Sequence, residues 1–250
     1  SMQFYSLENP EKLIESAFTH ARKLGPMKRQ RMSAVQHRKD KVGRKMEAFH
    51  DYLDKQLGRM FDSVPRFEKL HPFYQELLPE TLNVGKVKQA ASHIVSVRKL
   101  LKRQLVEGKR ALHSPTSDAL VHMQKASAKY FGRSASIVKS LKASIELLRD
   151  ANQLLKEVPD IRVDIPTLIL AGYPNTGKTT MLSRLTGSKA KIAAYPFTTK
   201  SLQLGYFSIR YREIQVMDTP GLLDREHAEY NPIEKKAWAA RRHLGSCVVF

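Results

Sequence analysis

The chain has 250 residues, long enough for one or two domains with hydrophobic cores, and its 42% hydrophobic content is that of a globular protein. Its uninterrupted apolar runs are a few residues long, as at 168–171 and 247–250, where a membrane helix needs about 20; its first residues lack the basic start and apolar core of a signal peptide; and the single cysteine, Cys247, excludes an internal disulfide and fits a reducing compartment. Lysine and arginine number 43 against 24 acidic residues, and the net charge of +19 exceeds the roughly 2 to 8 that solubility asks of a small domain, so a polyanionic partner, foremost nucleic acid, is expected.

The first 160 residues read as helices. Asn9, Pro10 and Glu11 form an N-cap, a first-turn proline and an acidic first turn, opening a helix that Gly25 and Pro26 close. Val42, Met46, Phe49, Leu53, Leu57 and Met60 recur at steps of three and four on a long second helix, ended by Ser63, Val64 and Pro65. A short helix over 72–78 follows. Asn83 opens another long one, striped by Ala90, Ile94, Val97, Leu101 and Leu105. Ser114 and Pro115 are expected to cap the next, running to about Gly132. The last helix is expected over 134–157, striped by Ile137, Leu141, Ile145, Leu148 and Leu155. Stripes of this width need partners, which predicts an N-terminal all-helical bundle over 1–160. Val158, Pro159 and Asp160 mark its boundary with a second domain over 161–250.

Beyond the boundary the periodicity changes. A fully apolar β-run at 167–171, a strand pair at 201–211 and 213–217, and a buried strand beginning at Cys247 predict a parallel-type α/β sheet. The segment Gly172-Tyr-Pro-Asn-Thr-Gly-Lys-Thr179 fits the pattern G-x-x-x-x-G-K-[ST] between a strand and a helix, the context a phosphate-binding P-loop requires. Gly172 and Gly177 let the backbone turn its N–H groups inward as an anion nest, and the helix N-terminus adds partial positive charge there. Pro174, Asn175, Thr176 and Gly177 are therefore expected around the nucleotide phosphates. Lys178 should reach the β- and γ-phosphates, the Thr179 hydroxyl should ligate Mg²⁺, and the Thr180 N–H should meet the α-phosphate.

Asp218-Thr-Pro-Gly221 ends a β-run 40 residues after Lys178. Asp218 is placed to hold Mg²⁺ through water, and the Gly221 N–H to sense the γ-phosphate. Between the two motifs lies the pair Thr198 and Thr199. A switch loop needs a hydroxyl that reaches Mg²⁺ only while the γ-phosphate is present; Thr199 is the first choice for it and Thr198 the second. Lys178, Thr199 and Gly221 are the candidate catalytic residues.

The segments GYPNTGKTT, AAYPFTTKSLQLGYF and DTPGLLDR followed by YNPIEKKA resemble the Obg–HflX superfamily of P-loop GTPases, and within it the nucleolar GTP-binding protein family in its short archaeal form. The resemblance covers about 165–250 by motif and 1–160 by architecture and charge. It implies a helical domain ahead of a Rossmann-like G domain, GTP/GDP and Mg²⁺ as ligands, and GTP hydrolysis coupled to maturation of the large ribosomal subunit. It implies a cytoplasmic location in an archaeon and a nucleolar one in a eukaryote. Asn175 stands where cation-activated relatives hold K⁺ against the phosphates; the alternative is an asparagine that stabilises the loop backbone. Asn231, Pro232 and Glu234 match a family motif but also read as a plain capping box. Leu222 follows Gly221 where Ras-like proteins carry a water-orienting glutamine, so slow intrinsic hydrolysis is expected unless K⁺, another residue or a partner supplies that group.

The G domain is expected to be incomplete, because no Asn-Lys-x-Asp motif for guanine precedes Phe250. Guanine specificity is thus an implication of the resemblance. The fold class expected is α plus α/β, a helical bundle followed by an incomplete P-loop GTPase domain. The bundle should dock on ribosomal RNA or a large-subunit precursor through two cationic clusters. One comprises Arg22, Lys23, Lys28, Arg29, Arg31, Arg38, Lys39, Lys41, Arg44 and Lys45, opposed only by Asp40; the other comprises Arg98, Lys99, Lys102, Arg103, Lys109 and Arg110. No aromatic stacking platform is evident, which predicts contacts to RNA backbone and shape. Two other readings remain: a ribosome-binding helical module whose truncated nucleotide domain is inactive, and a P-loop ATPase, against which the switch threonines speak.

Overall fold

The computed structural model describes residues 7–24, 33–114, 118–157, 161–170, 175–187, 191–194, 201–218 and 243–249. These form two compact units, one drawn from Phe4–Val64 and Gly85–Arg149, the other from Pro65–Val84 and Asp150–Phe250.

The helical unit begins with α1 (Pro10–Arg22), where Asn9 Oδ1 accepts the Lys12 N–H at 2.8 Å and Pro10 occupies the first turn. Helix α2 (Ala34–Ser63) is capped by Ser33, whose Oγ accepts the Gln36 N–H at 3.2 Å. Met46, Phe49, Leu53, Leu57 and Met60 are buried along it as their spacing predicts, while Val42 is half-buried and Gly43 takes the next inner position. Helix α1 packs on α2 and on α5 (Ala119–Lys139). Phe18, Phe49, Tyr130 and Phe131 meet there with ring centroids 4.7 to 6.3 Å apart, in the tilted and edge-on arrangements aromatic quadrupoles favour. Tyr130 donates its hydroxyl to the Met46 carbonyl at 3.0 Å, and burial pushes its phenol pKa well up.

Helix α4 (Val84–His113) buries Ala90, Ile94, Val97 and Leu101 as expected, with Leu105 half-buried and Gly108 inside. The expected break near Gly132 is not there. Helix α5 runs Ala119–Lys139, capped by Asp118, whose Oδ1 accepts the Val121 N–H at 3.2 Å, and α6 runs Lys142–Glu157. The chain bends at Ser140, whose hydroxyl donates to the Ile137 carbonyl at 2.7 Å. Gly132 is exposed with open space around it, so its weak helix propensity costs about 1 kcal/mol at most. Tyr130, Ser134 and Val138, each four residues apart, hold the inner face buried across it. Val138 therefore takes the inner position expected of Ile137, which is half-buried. Gly25, Pro26, Pro115 and residues 158–160, read as helix ends or boundary, lie outside the described residues.

The second unit contains a 3-10 turn (Phe67–Lys69), helix α3 (Pro72–Thr81) and a five-stranded sheet. The strands are β1 (Thr167–Leu170), β2 (Lys191–Ala194), β3 (Ser201–Ile209), β4 (Arg212–Asp218) and β5 (Gly245–Val249), in the order β2-β3-β4-β1-β5. The sheet is mixed, which corrects the expectation of a parallel one. Strand β1 is parallel to β4 and β5, whereas β3 is antiparallel to β2 and β4. The reason is the turn between β3 and β4: Arg210 and Tyr211 both have positive φ, 45° and 70°, the backbone of a two-residue hairpin. Strand β2 escaped the sequence reading because Lys-Ile-Ala-Ala has neither alternation nor β-branched density; its ladder with β3 makes it a strand. Helix α7 (Lys178–Thr186) lies on the sheet, with Leu182 packed between Leu170 and Val216.

Candidate functional site

The site follows from strand direction. Because β1 and β4 are parallel, with Leu170 paired to Asp218, both strands end at the same edge of the sheet. The loop leaving β1 and the segment leaving β4 therefore start side by side, the usual place for a ligand in an open α/β sheet. The loop re-enters regular structure at α7, whose first residue is Lys178. Gly177 caps α7 in the left-handed region, φ 87° and ψ 11°, and its carbonyl accepts the Met181 N–H at 2.9 Å. Asn175 is also left-handed, at φ 64°, a conformation asparagine tolerates better than most residues. Two such residues separated by one curl the backbone as the anion nest requires.

At the start of α7 the Thr179 hydroxyl donates to Asp218 Oδ2 across 2.8 Å. Asp218 is fully buried and Thr179 is exposed, so the pair joins the sheet edge to the mouth of the loop. A hydroxyl that could meet Mg²⁺ directly thus lies beside a carboxylate that could hold the ion through water. The donor set of one hydroxyl and one carboxylate is also the hard oxygen chemistry that ion takes. Lys178 is half-buried, and Thr176, Gly177 and Thr180 are exposed at the same mouth. The structure thus brings together Asn175, Thr176, Gly177, Lys178, Thr179, Thr180 and Asp218. Gly172, Pro174, Thr198, Thr199, Gly221, Leu222, Asn231, Pro232, Glu234 and Phe250 lie outside the described residues.

Two supporting residues were not anticipated. Gln215 is buried in β4, three residues before Asp218. Its Nε2 donates to Thr167 Oγ1 at 3.0 Å, and its Oε1 accepts the Arg162 N–H at 3.0 Å and the Tyr206 hydroxyl at 3.2 Å. It ties β4 to β1 and β3, which sets the register that brings Asp218 beside the loop. A polar residue inside the run Ile-Gln-Val-Met was the available signal. Gly205 of β3 is the other: a Cβ there would lie 2.3 Å from Thr186 Cγ2, so the absent side chain lets α7 settle on the sheet.

In the helical unit, some of the expected cationic surface is used internally. Arg98 donates Nε and Nη2 to Asp54 Oδ1 and Oδ2 at 2.7 and 3.0 Å, and its guanidinium lies over Gly58. Lys109 pairs with Glu47. Those two members bind α4 to α2, while Lys99, Lys102, Arg103 and Arg110 are exposed. From the first cluster Arg22, Lys23, Arg38 and Lys41 are exposed and Lys39, Arg44 and Lys45 half-buried; Lys28, Arg29 and Arg31 lie outside the described residues. No helix of the described residues is long and apolar enough to cross a membrane.

Comparison with known proteins matches residues 6–162 to the family described as the NOG1 N-terminal helical domain, and residues 167–250 to the family described as 50S ribosome-binding GTPase. An uncharacterized protein of Methanocaldococcus jannaschii is 34% identical over 194 residues, covering 78% of this chain and 53% of that one. Nucleolar GTP-binding protein 1 of Encephalitozoon cuniculi is 30% identical over 207 residues, covering 83% of this chain and 39% of that protein. Its namesake in Caenorhabditis elegans is 32% identical over 223 residues, covering 86% of this chain and 32% of that protein. The chain therefore spans about a third to a half of the length of these curated relatives.

Proposed function

The chain belongs to the nucleolar GTP-binding protein family, in the Obg–HflX superfamily of P-loop GTPases, and on that premise we propose a GTPase that acts in assembly of the large ribosomal subunit. The observation that carries the nucleotide half is the 2.8 Å contact of Thr179 with Asp218 at the mouth of the loop. The N–H groups of Thr176, Gly177, Lys178, Thr179 and Thr180 surround the phosphates, with Pro174 and Asn175 as further nucleotide-binding residues. Lys178 neutralises the β- and γ-phosphates. Thr179 and Asp218, with Thr199 of the switch loop, hold Mg²⁺. Mg²⁺, when bound, screens the charge on the β- and γ-phosphate oxygens. Gly221 and Thr199, or Thr198 in its place, respond to the γ-phosphate. Asn175 holds K⁺ in this reading, the alternative role being to stabilise the loop backbone.

The second half of the proposal is docking on ribosomal RNA. It is supported by the exposed cations of α2 and α4 and by a net charge of +19. The protein then works in the nucleolus of a eukaryote or the cytoplasm of an archaeon.

Titration of a chain extended past Phe250 with a fluorescent GDP analogue in Mg²⁺ and K⁺, competed with GTP and ATP, tests the nucleotide half. Displacement by guanine nucleotides alone, weakened at least tenfold in Thr179→Ala and no longer sensitive to Mg²⁺, is expected. Displacement by ATP equal to that by GTP, or a Thr179→Ala variant with unchanged Mg²⁺ dependence, overturns it. Cosedimentation with large subunits that falls as salt rises is expected of the docking half; salt-independent or absent association overturns that.

A further inference from the structure

We propose that the turn between β3 and β4 is an RNA contact, in which the Tyr211 ring stacks on an unpaired base and Arg210 and Arg212 hold the flanking phosphates. The proposal rests on the reading of RNA as partner; it carries that reading from the cationic helices to the sheet-bearing unit and departs from the expected backbone and shape contacts by adding a base contact.

Backbone conformation is the first observation. Arg210 and Tyr211 have φ of 45° and 70°. A two-residue hairpin turn of this hand favours Asn-Gly, because a larger side chain crowds the left-handed backbone. Folding alone gives no reason for Arg-Tyr at these positions, and strain of this sort gathers where a side chain serves a ligand. Exposure is the second. Tyr211 is 106% exposed, so the unit uses neither of its ring faces nor its hydroxyl. Tyr74 and Tyr206 of the same unit, by contrast, give their hydroxyls to Ile161 and Gln215. Charge is the third. Arg210 and Arg212 are exposed on either side of the ring, and among the described residues no carboxylate pairs with them. Glu213, next in sequence, is held by Arg162 at 2.6 Å.

These features suit a nucleobase better than a protein. A protein hot spot is fenced by apolar neighbours that keep water out. Here the residues from 208 to 213 are all exposed, and Ile209 is the one aliphatic side chain among them. Stacking on a base needs only an open ring face, with cations for the backbone on either side. The base must be unpaired, since bases within a duplex are already stacked on both faces. The turn also lies at the end of β4 opposite Asp218, about 20 Å along a seven-residue strand, so the contact is independent of the nucleotide site.

The test is equilibrium binding of this chain to a labelled single-stranded oligoribonucleotide and to the same sequence as a duplex, with thermal unfolding alongside. Tyr211→Asn keeps a residue that accepts the left-handed backbone. It should unfold no earlier than the wild type, lose about fivefold or more in affinity for the single strand, and keep its affinity for the duplex. Tyr211→Trp should retain single-strand binding, and GTP should change none of these affinities. Unchanged single-strand affinity in Tyr211→Asn overturns the proposal, as does an equal loss on both RNAs. Retained single-strand binding with lost cosedimentation on large subunits would assign the turn to a protein contact instead and also overturn it. A wild-type chain that binds neither RNA would remove the RNA reading itself, a different result from failure of the variant alone.

Discussion

The hydroxyl of Tyr74 engages both backbone groups of Ile161, accepting the N–H at 3.0 Å and donating to the carbonyl at 3.4 Å. Tyr74 sits on α3, and Ile161 opens the stretch that leads into β1. The neighbouring Arg162 N–H goes to Gln215, so the lead-in to β1 is fastened on one side by α3 and on the other by β4. His243 Nε2 and Glu76 Oε1, 2.9 Å apart, add a second tie from α3 to the residues before β5. Residues Pro65–Val84 therefore share a compact unit with the sheet, although the chain on either side of them is part of the helical unit.

Tyr74→Phe tests this fastening. Both Tyr74 and Ile161 are buried, and the change leaves the Ile161 N–H without that acceptor and out of reach of water. Loss of such a partner costs about 1–3 kcal/mol. A fall of several degrees in the unfolding temperature is expected by calorimetry, with the contacts of the helical unit untouched. An unchanged midpoint would mean the hydroxyl contributes nothing.

Gly205→Ala tests the seat of α7. The added methyl would lie 2.3 Å from Thr186 Cγ2 and 2.9 Å from its Cβ. Thr186 cannot swing aside easily: it is buried, β-branched and bonded through its hydroxyl to the Leu182 carbonyl at 2.8 Å. Overpacking of this kind costs about 1–3 kcal/mol. Because α7 carries Lys178 and Thr179 at its first turn, nucleotide affinity should fall together with stability. Adding Thr186→Ala opens the space and should restore much of both; a double variant as weak as the single one would show that the clash is not the cause.

Asp54 supplies a pH dependence. The hydrogen bond from Arg98 holds its carboxyl below the ordinary value of 3.8, assisted by the charges of Arg98, His50 and Lys102 and opposed by partial burial. A carboxylate whose pKa is lower folded than unfolded adds stability above its unfolded pKa and loses it as pH falls through the folded value. Stability contributed by this pair is therefore present at neutral pH and lost through and below the ordinary carboxylate range. Comparing denaturant midpoints of wild type and Asp54→Asn from pH 7 downward, the gap should narrow as acid is added. With the pair about a third exposed, water screens it, so the neutral-pH gap should stay modest. A gap that is constant with pH would contradict the assignment.

Much of the architecture was legible in local pattern. Met46, Phe49, Leu53 and Leu57 announce the buried face of α2 because helix geometry repeats every 3.6 residues, and all four are buried. The P-loop was legible because a backbone nest needs glycine at set positions between a strand and a helix, and Gly177 does take the left-handed conformation. The pairing of Thr179 with Asp218 follows from the same motifs, since each sits at the edge of a parallel strand pair.

Other features depend on what lies across from a residue, which no local pattern encodes. Gly132 reads as a helix end by propensity, yet the buried positions of Tyr130, Ser134 and Val138 carry α5 past it. Arg98 and Lys109 read as a cationic surface until Asp54 and Glu47 of α2 are found opposite them. The sheet reads as parallel until Arg210 and Tyr211 adopt a left-handed turn and fold β3 back on β4. The sequence by itself determined the helix faces and the phosphate loop, because both are set by residues a few positions apart. Only the tertiary structure decided the mixed sheet, the end of α5, the close seat of α7 at Gly205 and the place of α3 with the sheet. Each of these balances a local preference against contacts made by residues distant in sequence.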